Sequence, residues 1–203
     1  MKIIEIFPSL QGEGIHQGKP CLFVRLAGCN LNCSWCDTKY SHVQGDDISI
    51  HDLLEKIKSY NLQYVCITGG EPLIQIQEII PLVKELYQCG ITVDIETNGT
   101  IDFTSIQDYA SICMDIKCPS SNESSDLSLL YKLKSTDCVK FVIGNDTDYE
   151  YMTDILHKYP NILASVYVTS VYGTNSKTII DKIISDKLNV IYQVQLHKIV
   201  NIK

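Results

Sequence analysis

The chain is short of proline and has no surplus of positive charge. Its 6 prolines are scattered over 203 residues, and no stretch rich in Pro, Gly and Ser divides it. A linker of the usual composition is therefore missing, and a single domain over residues 1–203 is expected. Lys and Arg number 17 against 24 Asp and Glu, a formal net charge of -7. That argues against broad nonspecific binding to nucleic acid, which needs concentrated cations. No apolar run approaches the length of a membrane-spanning helix, and no cationic leader precedes an apolar stretch. Internal repeats and low-complexity tracts are lacking too. Of the 9 cysteines, Cys66, Cys89, Cys113 and Cys138 lie in or beside apolar runs, where a reduced thiol behaves as a small hydrophobe. The expectation is a chain of the reducing cytoplasm, with no membrane and no nucleic-acid partner.

What the sequence does have is a repeating β–α rhythm. Lys2–Phe7 reads as a strand ended by Pro8, and a glycine-bearing loop follows from Ser9 to Lys19. Cys21–Leu26, Gln63–Thr68, Ile91–Glu96, Ile112–Ile116, Cys138–Ile143, Ala164–Thr169 and Val190–Gln195 read as further strands. Helical periodicity marks Ile48–Ser59, Ile76–Gln88, Asp148–His157 and Ser176–Ser185, with shorter helical candidates at Phe103–Tyr109 and Ser125–Lys134. Parallel strands with helical crossovers follow, as a Rossmann-like open sheet or a TIM-like barrel. The chain is shorter than the roughly 250 residues of a full eight-unit barrel, so six units would leave it incomplete. Polar or glycine-rich segments follow many strands, at Ala27–Asp37, Thr68–Pro72, Thr97–Thr100, Lys117–Ser120 and Gln195–Lys198. In parallel α/β folds these segments share one face, where sites form.

The sharpest local signal is Cys29-Asn30-Leu31-Asn32-Cys33-Ser34-Trp35-Cys36, with three cysteines spaced C-x3-C-x2-C. Three thiolates can hold three irons of a [4Fe–4S] cluster and leave the fourth iron open. By spacing alone, a zinc site completed by Cys21, His42 or Cys66 is the alternative, because three thiolates do not close a tetrahedral structural site. Leu31 and Trp35 supply an apolar shell in either case.

Together with Thr68-Gly69-Gly70-Glu71-Pro72, this loop resembles the radical S-adenosylmethionine (SAM) superfamily. The likeness implies an incomplete (β/α)6 TIM-like barrel, SAM chelated by the open iron, and a 5'-deoxyadenosyl radical as the abstracting species. Cys29, Cys33 and Cys36 then hold the cluster. Gly69 and Gly70 expose backbone groups to the methionyl ammonium, and Glu71 either accepts from it or fixes the loop. Glu96, Thr97 and Asn98, at the next strand end, are expected to bind SAM, as are Asp115 and Lys117 on one inward period of a later strand; a buried structural pair is the rival for those two.

The likeness narrows further. Glu5–Gly14, Gly18-Lys19-Pro20, Phe23–Leu31, Trp35–Tyr40, Asp115–Ser120 and Gln195-Leu196-His197-Lys198 resemble the 7-carboxy-7-deazaguanine synthase family along most of the chain. That family contracts the ring of 6-carboxy-5,6,7,8-tetrahydropterin to 7-carboxy-7-deazaguanine and ammonia, on the route to queuosine. The resemblance implies a magnesium ion at Thr38, a homodimer and a flavodoxin- or ferredoxin-like electron donor. Gln11, Gly12, Glu13 and Gly14 would read the pterin's polar edge, where a buried polar ligand needs paired partners. Arg25 would hold the substrate carboxylate bidentately, or form a structural ion pair. His197 and Lys198 would reach the site from the last strand.

The cysteine spacing sets a measurable stoichiometry. Anaerobic reconstitution is expected to load about four irons and four sulfides per chain. One tightly bound zinc with no cluster, after careful anaerobic work, would instead favour a zinc-stabilised domain.

Overall fold

The computed structural model describes residues 1–203, and every strand belongs to a single sheet. In chain order the elements are β1 (Lys2–Leu10), β2 (Pro20–Leu26), β3 (Asp46–Asp47), α1 (Ile50–Ser59), β4 (Tyr64–Gly69), α2 (Ile76–Gln88), β5 (Thr92–Thr97), β6 (Ser111–Ile116), β7 (Cys138–Ile143), α3 (Asp146–Lys158), β8 (Ser165–Ser170), α4 (Ser176–Ser185), β9 (Ile191–Tyr192) and α5 (Leu196–Val200). The sheet order is β3-β1-β2-β4-β5-β6-β7-β8-β9. From β2 through β9 neighbours are parallel, whereas β1 is antiparallel to both β2 and β3. The two outermost strands, β3 and β9, do not pair with each other, so the barrel stays open.

Period-two alternation explains the curvature and decides against an open Rossmann-like sheet. Leu22, Val24, Leu26, Val65, Ile67, Val93, Ile95, Ile112, Met114, Val139, Phe141 and Val168 are buried in one cluster with Leu53 and Ile57 of α1, Leu82 and Leu86 of α2, Met152 of α3 and Ile183 of α4. All four long helices therefore cover the same face. A Rossmann-like sheet would have helices on both faces. Alternate strand residues, among them Arg25, Thr68, Glu96, Asp115 and Lys140, point to the lumen and line a cavity there. The lumen is thus polar, unlike the branched apolar filling of a closed barrel.

Several elements differ from their sequence-based outlines. β1 runs through Pro8, which pairs with Leu22. Only Lys2 and Ile3 of β1 pair with β3, so at Pro8 the strand is an edge and no ladder N–H is lost. Phe103–Tyr109 forms successive turns, and Ser125–Lys134 contains a 3₁₀ helix over Leu127–Lys132 rather than an α-helix. Buried Asp137 ties these two irregular crossovers together by accepting from Ile112 N (2.8 Å), Lys134 N (2.7 Å) and Gln107 Nε2 (2.8 Å). The final strand shrinks from Val190–Gln195 to Ile191–Tyr192, so His197 and Lys198 sit on the short helix α5 and not on a strand. Pro81 lies inside α2 without breaking it, on an exposed face.

The β1–β2 hairpin loop crosses the amino ends of the parallel strands. His16 Nδ1 lies 2.8 Å from Asp94 Oδ2 on β5. Gln11 Nε2 donates to Tyr64 Oη on β4 at 3.1 Å. Gly14, at φ +70°, sits against the thiols of Cys113 and Cys138, where an added Cβ would approach within 3.7 Å and 3.6 Å. Gln193 clips the same glycine from the far edge, accepting from Gly14 N (2.7 Å) and donating to Gly14 O (3.0 Å). The loop is a plug in the bottom of the barrel, held from both edges of the open sheet. No helix is long and apolar enough to cross a membrane.

Candidate active site

Above the plug lies a cavity of about 890 Å³, lined by residues from the strand carboxyl ends, the plug and α5. Gln11, Gly12 and Glu13 line it from the plug. The loop after β2 contributes Cys29, Cys33, Cys36 and Thr38, with Leu31 and Trp35 beside them. Gly69 and Gly70 line it from the end of β4, Glu96, Thr97 and Asn98 from β5, Asp115 and Lys117 from β6, and His197 and Lys198 from α5. Segments far apart in the sequence therefore converge on one space.

Two of the anticipated residues do not face it. Gly14 is below, against the Cys113 and Cys138 thiols. Glu71 is fully buried and works as a strut, accepting from Leu73 N at 2.9 Å, Thr97 Oγ1 at 2.9 Å and Asn98 N at 2.6 Å. Burial pushes its carboxyl up to about 7 in spite of these donors. Of the two roles open to Glu71 in the sequence, the geometry matches loop fixing. Its own N–H donates to Gly28 O at 2.9 Å, joining the glycine turn to the root of the cysteine loop. Gly70 packs so closely there that a Cβ would come within 2.3 Å of Gly28 O and 2.6 Å of the Cys29 Cβ. The site requires glycine at this position because backbone meets backbone.

The donor set can be tested against a single ion and against a cluster. No three His, Cys, Asp or Glu side chains are placed to hold one metal ion. Of the zinc partners offered above, Cys21 and Cys66 pack with Tyr64 and Phe23 and do not line the cavity, and His42 lines it without completing a set of three ligands. Three thiols on one wall, each free to bind a different iron, suit a cluster. Trp35 closes the wall by donating Nε1–H to Ser120 Oγ at 3.1 Å, and the Lys117 ammonium lies 5.5 Å from the centre of its ring. Thr38 Oγ1 is 3.6 Å from Cys36 Sγ.

The lumen beside this wall holds a chain of buried charges. Lys117 Nζ pairs with Asp115 Oδ2 at 3.0 Å. Asp115 Oδ1 lies 3.0 Å from Lys140 Nζ, which also pairs with Glu13 and stands 3.7 Å from Glu96. Burial opposes ionisation of Asp115, but the two ammonium groups outweigh it and hold the carboxyl below its usual range. At Glu96 burial wins over Lys140, aided by the charges of Asp115 and Glu13, and pushes it up to about 7. At the rim, Arg25 donates from Nε to Glu5 Oε1 at 2.8 Å, and its two Nη groups make no hydrogen bond within the chain. Lys198 pairs with Asp37 at 2.8 Å. The His197 ring lies flush against Gly12, where a Cβ would be 2.3 Å from Nδ1.

Lys140 and Asp37 line the site without having been singled out from the sequence. Asp37 stood in plain view between Cys36 and Thr38. Lys140 carried a signal of its own, a lone cation in the apolar strand Cys138-Val139-Lys140-Phe141-Val142-Ile143.

Residues 24–117 match the model of the radical SAM superfamily. A 7-carboxy-7-deazaguanine synthase of Methanospirillum hungatei is 46% identical over 202 residues, spanning 100% of this chain and 86% of the relative. Another from Thermoplasma acidophilum is 40% identical, over 98% of this chain and 97% of the relative. The chain belongs to the 7-carboxy-7-deazaguanine synthases. It is an enzyme of the radical SAM class, and membership carries the use of a [4Fe–4S] cluster and SAM. The crystal structure of QueE from Escherichia coli superposes with a TM-score of 0.78 at 25% identity, covering 97% of this chain and 94% of that one. Streptococcus suis SuiB bound to the precursor peptide SuiA shares the fold alone, with a TM-score of 0.63 at 13% identity.

The raised Glu96 value has a thermodynamic sign. Glu96 binds its proton more tightly folded, at about 7, than at the ordinary 4.5. Its contribution to stability therefore falls as pH rises through that window and stays low above it. Glu96→Gln removes this dependence. The difference in Tm, variant minus wild type, is expected to be more positive at pH 8 than at pH 5; an unchanged difference would contradict the raised value.

Proposed function

We propose that this chain makes 7-carboxy-7-deazaguanine from 6-carboxy-5,6,7,8-tetrahydropterin in one domain, with substrate and cofactor on facing walls of the cavity. The observation that carries this reading is the meeting of the Gln11-Gly12-Glu13 plug with the cysteine loop in a single cavity. Gln11 Nε2 is committed to Tyr64 Oη and, at 3.4 Å, to Glu96 Oε1. Its carbonyl oxygen is thus left to accept from the pterin. Glu13 adds a carboxylate on the same floor. Arg25 keeps its Nη donors for the substrate carboxylate while Glu5 fixes the guanidinium through Nε. His197 and Lys198 close the space from α5, and the Lys198–Asp37 pair ties that helix to the cysteine loop.

On the opposite wall, Cys29, Cys33 and Cys36 would hold the cluster. When bound, the reduced cluster supplies an electron to SAM, and SAM supplies the hydrogen-abstracting species. Gly69 and Gly70 offer backbone groups to the SAM amino acid, and Glu96, Thr97, Asn98, Asp115 and Lys117 border the space left for the rest of it. Thr97 and Asn98 also hold the wall together: Asn98 Nδ2 donates to Asn30 Oδ1 at 2.9 Å, fastening the cysteine loop to β5. Leu31 and Trp35 exclude water from the thiols. Magnesium would take the Thr38 hydroxyl as a protein ligand, with substrate oxygens and water completing its shell. The working unit would be a homodimer fed by a flavodoxin- or ferredoxin-like donor.

The decisive assay is anaerobic incubation of the reconstituted chain with reductant, SAM, magnesium and 6-carboxytetrahydropterin. Mass spectrometry is expected to show 7-carboxy-7-deazaguanine, with SAM not consumed in proportion. SAM cleavage without that product would remove the substrate assignment and leave the superfamily intact. A second outcome concerns the ion. Thr38→Ala is expected to weaken the magnesium stimulation of turnover by about tenfold or more while SAM affinity stays within about twofold. An unaltered magnesium titration would take Thr38 out of the metal role.

A further inference from the structure

We infer that Lys140 is a positioning residue for substrate selection, holding the Glu13 carboxylate as an acceptor that only a hydrogen-bond-donating pterin edge can meet. The inference deepens the reading of Glu13 as a substrate contact and rests on it. Lys140 sits mid-strand on β7 between Val139 and Phe141, both fully buried. Its side chain is only 9% exposed and still carries an ammonium. That ammonium faces carboxylates from three elements: Glu13 on the plug, Glu96 on β5 and Asp115 on β6. Each lies within 3.7 Å of it.

The Glu13 contacts say what this arrangement does. One of its oxygens pairs with Lys140. The other accepts from Gln195 Nε2 at 2.6 Å. Each carboxylate oxygen has about two acceptor positions, so both keep one for a ligand after these bonds form. A carboxylate whose two oxygens already accept presents acceptors and no donor. The complementary ligand edge carries two neighbouring N–H donors, as the 2-amino and N3–H groups of a pterin do. A pterin with oxygen in place of the 2-amino group would set an acceptor against an acceptor in a buried site, and such mismatches are strongly rejected. Packing does not call for a lysine here, but the three carboxylates around its Nζ call for a cation, so the Glu13→Gln arm below is what separates charge compensation from substrate selection. With Lys140 gone, Asp115 would keep Lys117 at 3.0 Å, while Glu13 and Glu96 would have no paired cation.

Binding measurements on the cluster-reconstituted full chain with SAM, held anaerobic and without reductant, isolate this step from turnover. The probes are 6-carboxytetrahydropterin and its 2-oxo counterpart. Lys140→Met is expected to raise Kd for the first by about tenfold or more, and to collapse the preference over the second. Lys140→Arg, which keeps the charge, is expected to restore most of the preference. In a Glu13→Gln background, Lys140→Met should add no further loss. Lys140→Gln, which keeps a donor without the charge, serves as the second variant if the methionine chain fails to fold. A folded Met or Gln variant that retains the preference overturns the inference, as do Lys140 and Glu13 effects that simply multiply. If Glu13→Gln itself leaves pterin binding and preference unaltered, the substrate role of Glu13 fails first, which separates the two failures.

Discussion

A barrel lined with charge holds together only if each buried ion meets an opposite one. The lumen satisfies this with a relay from Lys117 through Asp115 to Lys140, and on to Glu13 and Glu96. Each ion here would cost several kcal/mol if left alone. The pairing lets strands with a continuous apolar back carry a hydrophilic front. The same relay links β5, β6 and β7 to the plug, so the electrostatics of the floor and the shape of the barrel are one constraint.

The second organising element is mechanical. Glu71 spans the glycine turn, the carboxyl end of β5 and, through its own backbone, the start of the cysteine loop. The loop itself has little regular structure before the 3₁₀ turn at Lys39–His42. Its shape comes from outside contacts: Gly28 N to Ser41 O at 2.7 Å, Ser34 N to Ser121 O at 2.9 Å and Asn98 to Asn30. A cysteine triad on a loop is positioned only as well as such contacts position it.

How much of this was legible beforehand varied with the physics involved. The parallel strands β4 to β8 stood out because each is a compact β-branched run, and Cys138–Ile143 and Ser176–Ser185 have the expected limits. The cysteine loop and the Gly-Gly-Glu-Pro turn were readable as motifs, because their chemistry depends on local spacing. Pro8 misled because its tolerance depends on being unpaired on one side, a property of sheet order. The β5–β6 and β6–β7 crossovers have no α-helix; Asp137 fastens them through the Gln107 side chain and Lys134 N and joins them to β6 at Ile112 N, and the Gln107 and Ile112 contacts are distant in sequence. Gly14 and Glu71 share motifs with cavity residues but act one layer away, a distinction of depth that spacing along a chain does not encode. Lys140 was visible as an oddity; its partners come from residues 13, 96 and 115, and no local window joins them.

The plug also decides what a cover could do. With the amino end of the barrel stoppered by residues 11–19 and clipped by Gln193, the cavity above it has Gln11 and Glu13 in its floor and the three thiols in a wall beside them. Floor and thiols share one space, so a single cover over the carboxyl ends of the strands would shield both from solvent at once.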